Sequence, residues 1–415
     1  MQTDPVKFAI GTMPLFDVDT HWAEPPTLWK DQAPAKYKNK VFEVKDKPDN
    51  SQGWFVGDQQ VAMIGPAVVK ADMTKHLNSF TIPRYDLMSK AVSIPEHTLE
   101  YMNGAGIGAQ VVYPNVIGFG GQALMKVFPD DHELRLWHVQ TYNDALGDMQ
   151  KRGGNRLLPQ AALPLWDIEA SIAELRRIKK MGLTGFAMSD KPADFGQPTL
   201  TSPEWARFWE TVQDLDIPVN FHIGSGTFEG EVNKFWSEPR IVVYPDGTQN
   251  GPLAIFTAIN NFLNNQLDVM NLILTGHLDR YPKIKYVSVE SGAGWAPFII
   301  QVMMFQWGEM MSAEQRAKFT RTPYEMFRDQ IYMTIYCEEH YNVDQYVGYF
   351  GADNLLFETD FPHPTSIYPH ANSRFKSARE YAESVCRNLS PEDKAKVIYQ
   401  NAEKLYGVKI QTANA

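Results

Sequence analysis

Eight times along the chain a short run rich in β-branched and aromatic residues gives way to a stretch with helical spacing; the runs start near residues 16, 109, 157, 185, 218, 286, 331 and 355. Parallel strands need a crossover of a dozen or more residues, usually a helix, so this alternation predicts a parallel sheet. Eight strand–helix units are the number that closes a (β/α)8 TIM barrel, and barrel sites are assembled at the C-terminal ends of the strands. A doubly wound open sheet is the competitor. Polar residues gather at the strand ends, and no dinucleotide or P-loop glycine signature accompanies them, which favours the barrel. The expected fold is α/β: one barrel spanning 1–415, with an insertion after the first strand. Residues 30–94 carry the Pro, Gly, Lys and Asp content of loops and short strands, and are expected to cover the barrel mouth without forming a core of their own. The Gly- and Pro-marked stretch from Glu229 to Asn250 reads as a long loop, often a lid or binding loop.

The first strand carries the densest chemistry. In Phe16-Asp17-Val18-Asp19-Thr20-His21-Trp22, strict alternation puts Asp17, Asp19 and His21 on one face. A buried row of carboxylates is costly unless something positive neutralises it, and a divalent metal is the simplest answer; an ordinary Asp/His hydrogen-bond cluster is the alternative. Strand one ends in Asp19 and His21, strand five in His222, strand six in Glu290 and strand eight in Asp360, so five such residues converge on one mouth. Two residues before them, Asp17, Asn220, Ser288 and Glu358 are expected on the same inward faces, as a supporting layer whose carboxylates accept hydrogen bonds from ligand histidines. His277 falls in a helix-to-strand connection at the opposite end, and Cys337 follows strand seven with no base placed to activate it.

Charge and cysteine content narrow the partners. A net charge of -10 argues against a nucleic-acid footprint and against attraction to anionic membranes, leaving a small-molecule substrate. With Cys337 and Cys386 alone there is no disulfide framework and no Cys-type zinc site. No apolar run reaches signal-peptide or membrane-span length, so a cytoplasmic protein is expected, with a homodimer left open.

These residues resemble the amidohydrolase superfamily, in the branch that includes aminocarboxymuconate-semialdehyde decarboxylase and resorcylate decarboxylase. The likeness runs from Asp17-Val18-Asp19-Thr20-His21 through Asn220-Phe221-His222 and Tyr281-Pro282-Lys283-Ile284-Lys285 to Glu358-Thr359-Asp360-Phe361-Pro362-His363, and covers the insertion least. It implies metal ligation by Asp19, His21, His222 and Asp360. Asp19 stands where the family more often has histidine, and Glu290 where its catalytic sixth-strand histidine lies. Members with two metals usually bridge them by a strand-four lysine, which Phe186-Ala187-Met188 lacks, so the resemblance implies one divalent ion: zinc first, manganese or iron as alternatives. Glu290 and His363 are the candidates for moving protons, and Arg84 and His76 of the insertion for reaching the substrate. The missing sixth-strand histidine, and the lack of a cation at a strand end to hold a carboxylate, point to hydrolysis of an ester, thioester, amide or lactone by metal-activated water. Non-oxidative decarboxylation of an aromatic or related acid is the alternative, and a ligand-binding barrel without chemistry a second one.

Overall fold

A computed structural model describes residues 13–189, 191–225, 251–370 and 373–410; the expected loop at 229–250 lies outside the described residues. Strand β1 (Leu15–His21) is followed by β2 (Phe42–Asp46), β3 (Gln52–Val56) and β4 (Gln59–Met63). Then come β5 (Ile107–Tyr113), β6 (Leu157–Pro159), β7 (Phe186–Met188), β8 (Val219–His222), β9 (Tyr286–Val289), β10 (Ile331–Ile335) and β11 (Leu355–Phe357). Strands β2 to β4, short strands in the stretch expected to hold loops and short strands, make a small antiparallel sheet. The other eight pair in parallel as two ladders, β1-β5-β6 and β7-β8-β9-β10-β11. Single parallel bridges, Ala161 with Phe186 and Thr20 with Phe361, join the ladders at both seams and complete the ring.

One apolar cluster draws on most of these strands: Phe16 and Val18 of β1 meet Val111, Leu158, Ala187, Val287 and Leu356, and Tyr406 of the C-terminal helix packs against them. Contacts among so many strands of a ring can only lie inside it, and branched side chains in layers are the usual filling. This overturns the strict alternation read for β1. The ladder with β5 shifts register between Asp17 and Thr20, the mark of a bulge, and an extra residue turns the following side chains to the other face. Val18 therefore faces inward below the bulge, while Asp19 and His21 face inward above it.

Asp17 consequently does not sit beneath Asp19. It faces outward, where it accepts hydrogen bonds from the Thr359 amide (2.8 Å) and hydroxyl (2.6 Å) and lies 3.4 Å from the Gln110 amide nitrogen. Ser288 is likewise outward, between inward Val287 and Val289, and bonds Asn265 of the helix Gly251–Leu274. Only Asn220 and Glu358 keep the expected inward position. The segment before the helix Pro95–Ala105 is tied to the loop after β11 by the Val68 amide on the Pro362 carbonyl (3.0 Å) and to the turn after β1 by the Tyr85 hydroxyl on the Glu24 carbonyl (2.8 Å). Its aromatic residues Phe42 and Trp54 pack on Trp29 in the main core. No helix among the described residues is long and apolar enough to cross a membrane.

Candidate metal centre

The strand ends place Asp19, His21, His222, Glu290, Asp360 and His363 together, all buried, in two overlapping groups whose ligand atoms lie within 4.8 Å of one another. The imidazoles of His21 and His222 face each other with Nε2 atoms 3.2 Å apart. Asp19 Oδ1 stands 3.4 Å from the first and 3.3 Å from the second, and Asp360 Oδ1 is 3.3 Å from His21 Nε2. The Nδ1 of His222 lies 2.6 Å from the Ile223 carbonyl, which can only accept. That tautomer leaves the Nε2 lone pair aimed at the cluster. Glu290 Oε2 completes the ring 3.6 Å from His222 Nε2.

Local backbone aims these groups. Glu290, Cys337 and Asp360, which follow β9, β10 and β11, all have left-handed backbone with φ of 57°, 58° and 57°. Side chains other than glycine take that region rarely, and such residues cluster at functional sites. At Glu290 the reversal matters most, since Val289 before it already points inward. Asp360 is held by the Tyr336 hydroxyl (3.3 Å) and the Thr365 hydroxyl (3.2 Å) on Oδ2. His363 stacks on His21 with centroids 3.5 Å apart, and places Nδ1 2.8 Å from Asp360 Oδ1 and Nε2 3.0 Å from Asn115 Oδ1. Phe119 stacks on His222 at 3.9 Å and walls the other side.

The donor set fits a divalent cation. Both Asp19 carboxylate oxygens are buried with no hydrogen-bond partner, and Asp360 Oδ1 meets only the nitrogens of His21 and His363, a costly arrangement unless a positive charge occupies their midst. Burial opposes charge on His21, yet the Asp19 and Asp360 carboxylates outweigh it and lift the imidazole to about 9. Burial, reinforced by Asp360 and Asp19, pushes Glu290 well above the usual carboxylate range, and burial with Asp19 does the same to Glu358. Glu358 accepts from the Glu290 amide at 3.2 Å. Asn220 bonds Gln160 (2.8 Å) and the Tyr406 hydroxyl (2.8 Å). The expected hydrogen bond donated by a histidine to Asp17 or Glu358 is thus absent among the described residues; the bulge and the strand ends turn these carboxylates onto backbone amides.

Of the two insertion residues expected near the substrate, neither joins the cluster. The Arg84 guanidinium is engaged by Asp46 (3.0 Å) and Asp86 (2.9 Å), and half-buried His76 is placed through its amide on the Val68 carbonyl. The cation that does come near is Lys75, which the sequence reading missed. Its ammonium donates to the Ser366 carbonyl (2.8 Å) and hydroxyl (3.3 Å), and burial pushes it down to about 8 against the pull of Asp360. Nothing in its local sequence marks it, because the partner is 291 residues away. His277 is buried at the opposite end, its Nε2 2.7 Å from the hydroxyl of Tyr286, the first residue of β9.

A ring of parallel strands with histidine and carboxylate donors at one mouth defines the metal-dependent barrel enzymes. The chain belongs to the amidohydrolase family, whose model matches residues 16–408, and it is an enzyme of the decarboxylase-containing branch. A gamma-resorcylate decarboxylase of Polaromonas sp. (strain JS666 / ATCC BAA-500) is 25% identical over 333 residues, covering 77% of this chain and 90% of that protein. An amidohydrolase structure from Mycobacterium avium subsp. paratuberculosis K-10 superposes with a TM-score of 0.71 at 17% identity, covering 97% of this chain and 100% of that one. A dihydroxybenzoic acid decarboxylase from Polaromonas sp. JS666, solved with bound manganese and 2-nitroresorcinol, superposes with a TM-score of 0.59 at 16% identity, covering 95% and 97%.

Proposed function

We propose that this enzyme is a metal-dependent, non-oxidative decarboxylase of a hydroxylated aromatic acid. The observation that carries the reading is Lys75: one of the two arguments for hydrolysis was the lack of a cation for a carboxylate, and a half-buried ammonium bonded to Ser366 lies near enough to Asp360 to feel its charge. The gamma-resorcylate decarboxylase relative supports the same substrate class and favours decarboxylation over the hydrolysis expected from sequence. Asp19, His21, His222 and Asp360, drawn from the two groups that share His21 and Glu290, would hold one divalent ion, and the oxygen-rich set with Glu290 beside it suits manganese at least as well as zinc. When bound, the ion supplies Lewis acidity to the substrate's oxygens.

The chain's own groups do the rest. Lys75 pairs with the substrate carboxylate, and Phe119 bounds the space for its ring. Glu290, whose carboxyl burial pushes well above the usual carboxylate range, donates its proton to the ring carbon that bears the carboxylate. The carbon–carboxylate bond then breaks, carbon dioxide leaves, the aromatic electrons are restored, and Glu290 regains a proton from water. His363, between Asp360 and Asn115 and stacked on His21, positions both ligands. Residues 30–94 serve as the cover of this mouth within one barrel, and expressed alone should not unfold cooperatively.

The test is a panel of ortho-hydroxylated benzoic acids, gamma-resorcylate among them, set against activated esters and lactones with manganese- and zinc-loaded protein. Release of carbon dioxide from the acids is expected; turnover confined to the esters or lactones refutes the proposal. Lys75→Met should raise KM for the acid about tenfold or more with a smaller loss in kcat, as removal of a charge-assisted contact costs about 1.5–3 kcal/mol. His222→Ala and Asp360→Ala should lose both metal and activity.

A further inference from the structure

Glu24 is a buried carboxyl that neither the metal centre nor the proposed reaction uses. It follows β1 and is 1% exposed. Among the described residues no lysine or arginine pairs with it, and burial pushes it up to about 7. A carboxyl kept in such a place at a cost in desolvation calls for partners that need its oxygens. They are two successive backbone amides, of Asn115 (2.9 Å) and Val116 (3.0 Å), both donating to Oε1. These amides open the loop after β5, which also carries Phe119 against His222. The Asn115 side chain is gripped in turn. Its Nδ2 donates to the Trp22 carbonyl (3.2 Å), and Gly65, just after β4, lies so close that a Cβ added there would fall 2.7 Å from the Asn115 Cβ.

The bond to Trp22 fixes which end of the Asn115 amide is oxygen, so Oδ1 faces His363 Nε2 at 3.0 Å. An amide oxygen only accepts, and His363 Nε2 therefore carries a proton. The ring is then set with Nδ1 2.8 Å from Asp360 Oδ1 and with its face 3.5 Å from that of His21. We propose that Glu24 is a positioning residue of the metal centre: it grips the loop after β5 so that Asn115 holds His363 against the two ligands Asp360 and His21. Each link in this path is a hydrogen bond or a ring contact between buried or half-buried groups, and none of them touches the metal. Partners that orient ligands in this way are usually worth ~10–100-fold in metal affinity. The short segment from Asp19 to Glu24 thus supplies two ligands and also the group that steadies the support for one of them.

Competition between a chelator of known affinity and the manganese-loaded full chain reads the effect. Glu24→Ala and Asn115→Ala should each weaken manganese binding about tenfold, and the double variant should lose no more than about twofold beyond the weaker single, because both act on one path. Glu24→Gln keeps an oxygen for both amides and should hold manganese to within about threefold of wild type. If Glu24→Ala fails to fold, Gly65→Ala takes its place: it removes no hydrogen bond, displaces Asn115 and should weaken binding about threefold or more. Unchanged affinity in whichever of the two folds overturns the proposal, and so do losses that multiply to about 100-fold in the double variant. Affinity is read without substrate, so the outcome rests on the proposed metal centre and not on the proposed reaction. A wild type with no measurable affinity for manganese would fail both the centre and Glu24; a tight wild type beside an equally tight Glu24→Ala fails Glu24 alone.

Discussion

Glu290 is the residue on which acid and base readings part. A hydrolase needs it ionised to take a proton from water, whereas a decarboxylase needs it protonated to give one to carbon. Glu290→Gln keeps its size and removes the proton, and should lower kcat at least 100-fold with the metal still bound, the usual reach of a positioned acid being about 10²–10⁴. Loss of metal in that variant would make Glu290 a ligand instead. Asp19, His21, His222 and Asp360 could be picked out from sequence because each ends a strand run and each is a residue type that water or metal must satisfy when buried. Lys75, Asn115 and Phe119 could not: they reach the cluster from loops, across gaps in sequence that no local pattern records.

At the level of elements, the period of two found all eight barrel strands, since a strand must alternate or run apolar to be buried. It failed inside β1, where the bulge after Asp17 breaks the alternation, and at Glu290, where left-handed backbone reverses it. These are the places where the fold departs from regularity to aim a functional group. Asp17 fastens the edge so created, and burial pushes it up to about 7 although Thr359 donates to it twice. Asp17→Ala should leave the buried Thr359 amide unsatisfied and destabilise the fold by about 1–3 kcal/mol in urea unfolding, with metal stoichiometry intact. Lost metal at unchanged stability would assign Asp17 to the metal site after all.

For the whole molecule, buried titratable groups pull stability in opposite directions. Burial lowers His277 to about 3 and His138 to about 4. A folded pKa below the unfolded ~6.5 gives stability that is present above pH 6.5 and is lost as pH falls toward those values, since the unfolded chain binds the protons first. Burial raises Glu24 and Glu338 to about 7, and their contribution is present in acid and lost as pH rises through 7. The net slope is therefore mixed, but a difference isolates one group: between pH 7 and 5, His277→Gln should gain about 2 kcal/mol relative to wild type. A constant gap would mean that His277 is charged in the fold. The seam between β1 and β11 has a mechanical meaning as well. A single bridge closes it, at Thr20 and Phe361, and the donors flanking that bridge, Asp19 and His21 on one side and Asp360 on the other, belong to the two donor groups that overlap at His21. An ion held there would be a rivet through one of the two seams that a single bridge closes. The amides of His21 and Asp360, which bond the Phe361 and Asp19 carbonyls across the gap, are then the ones whose exchange with deuterium should slow most when manganese is added.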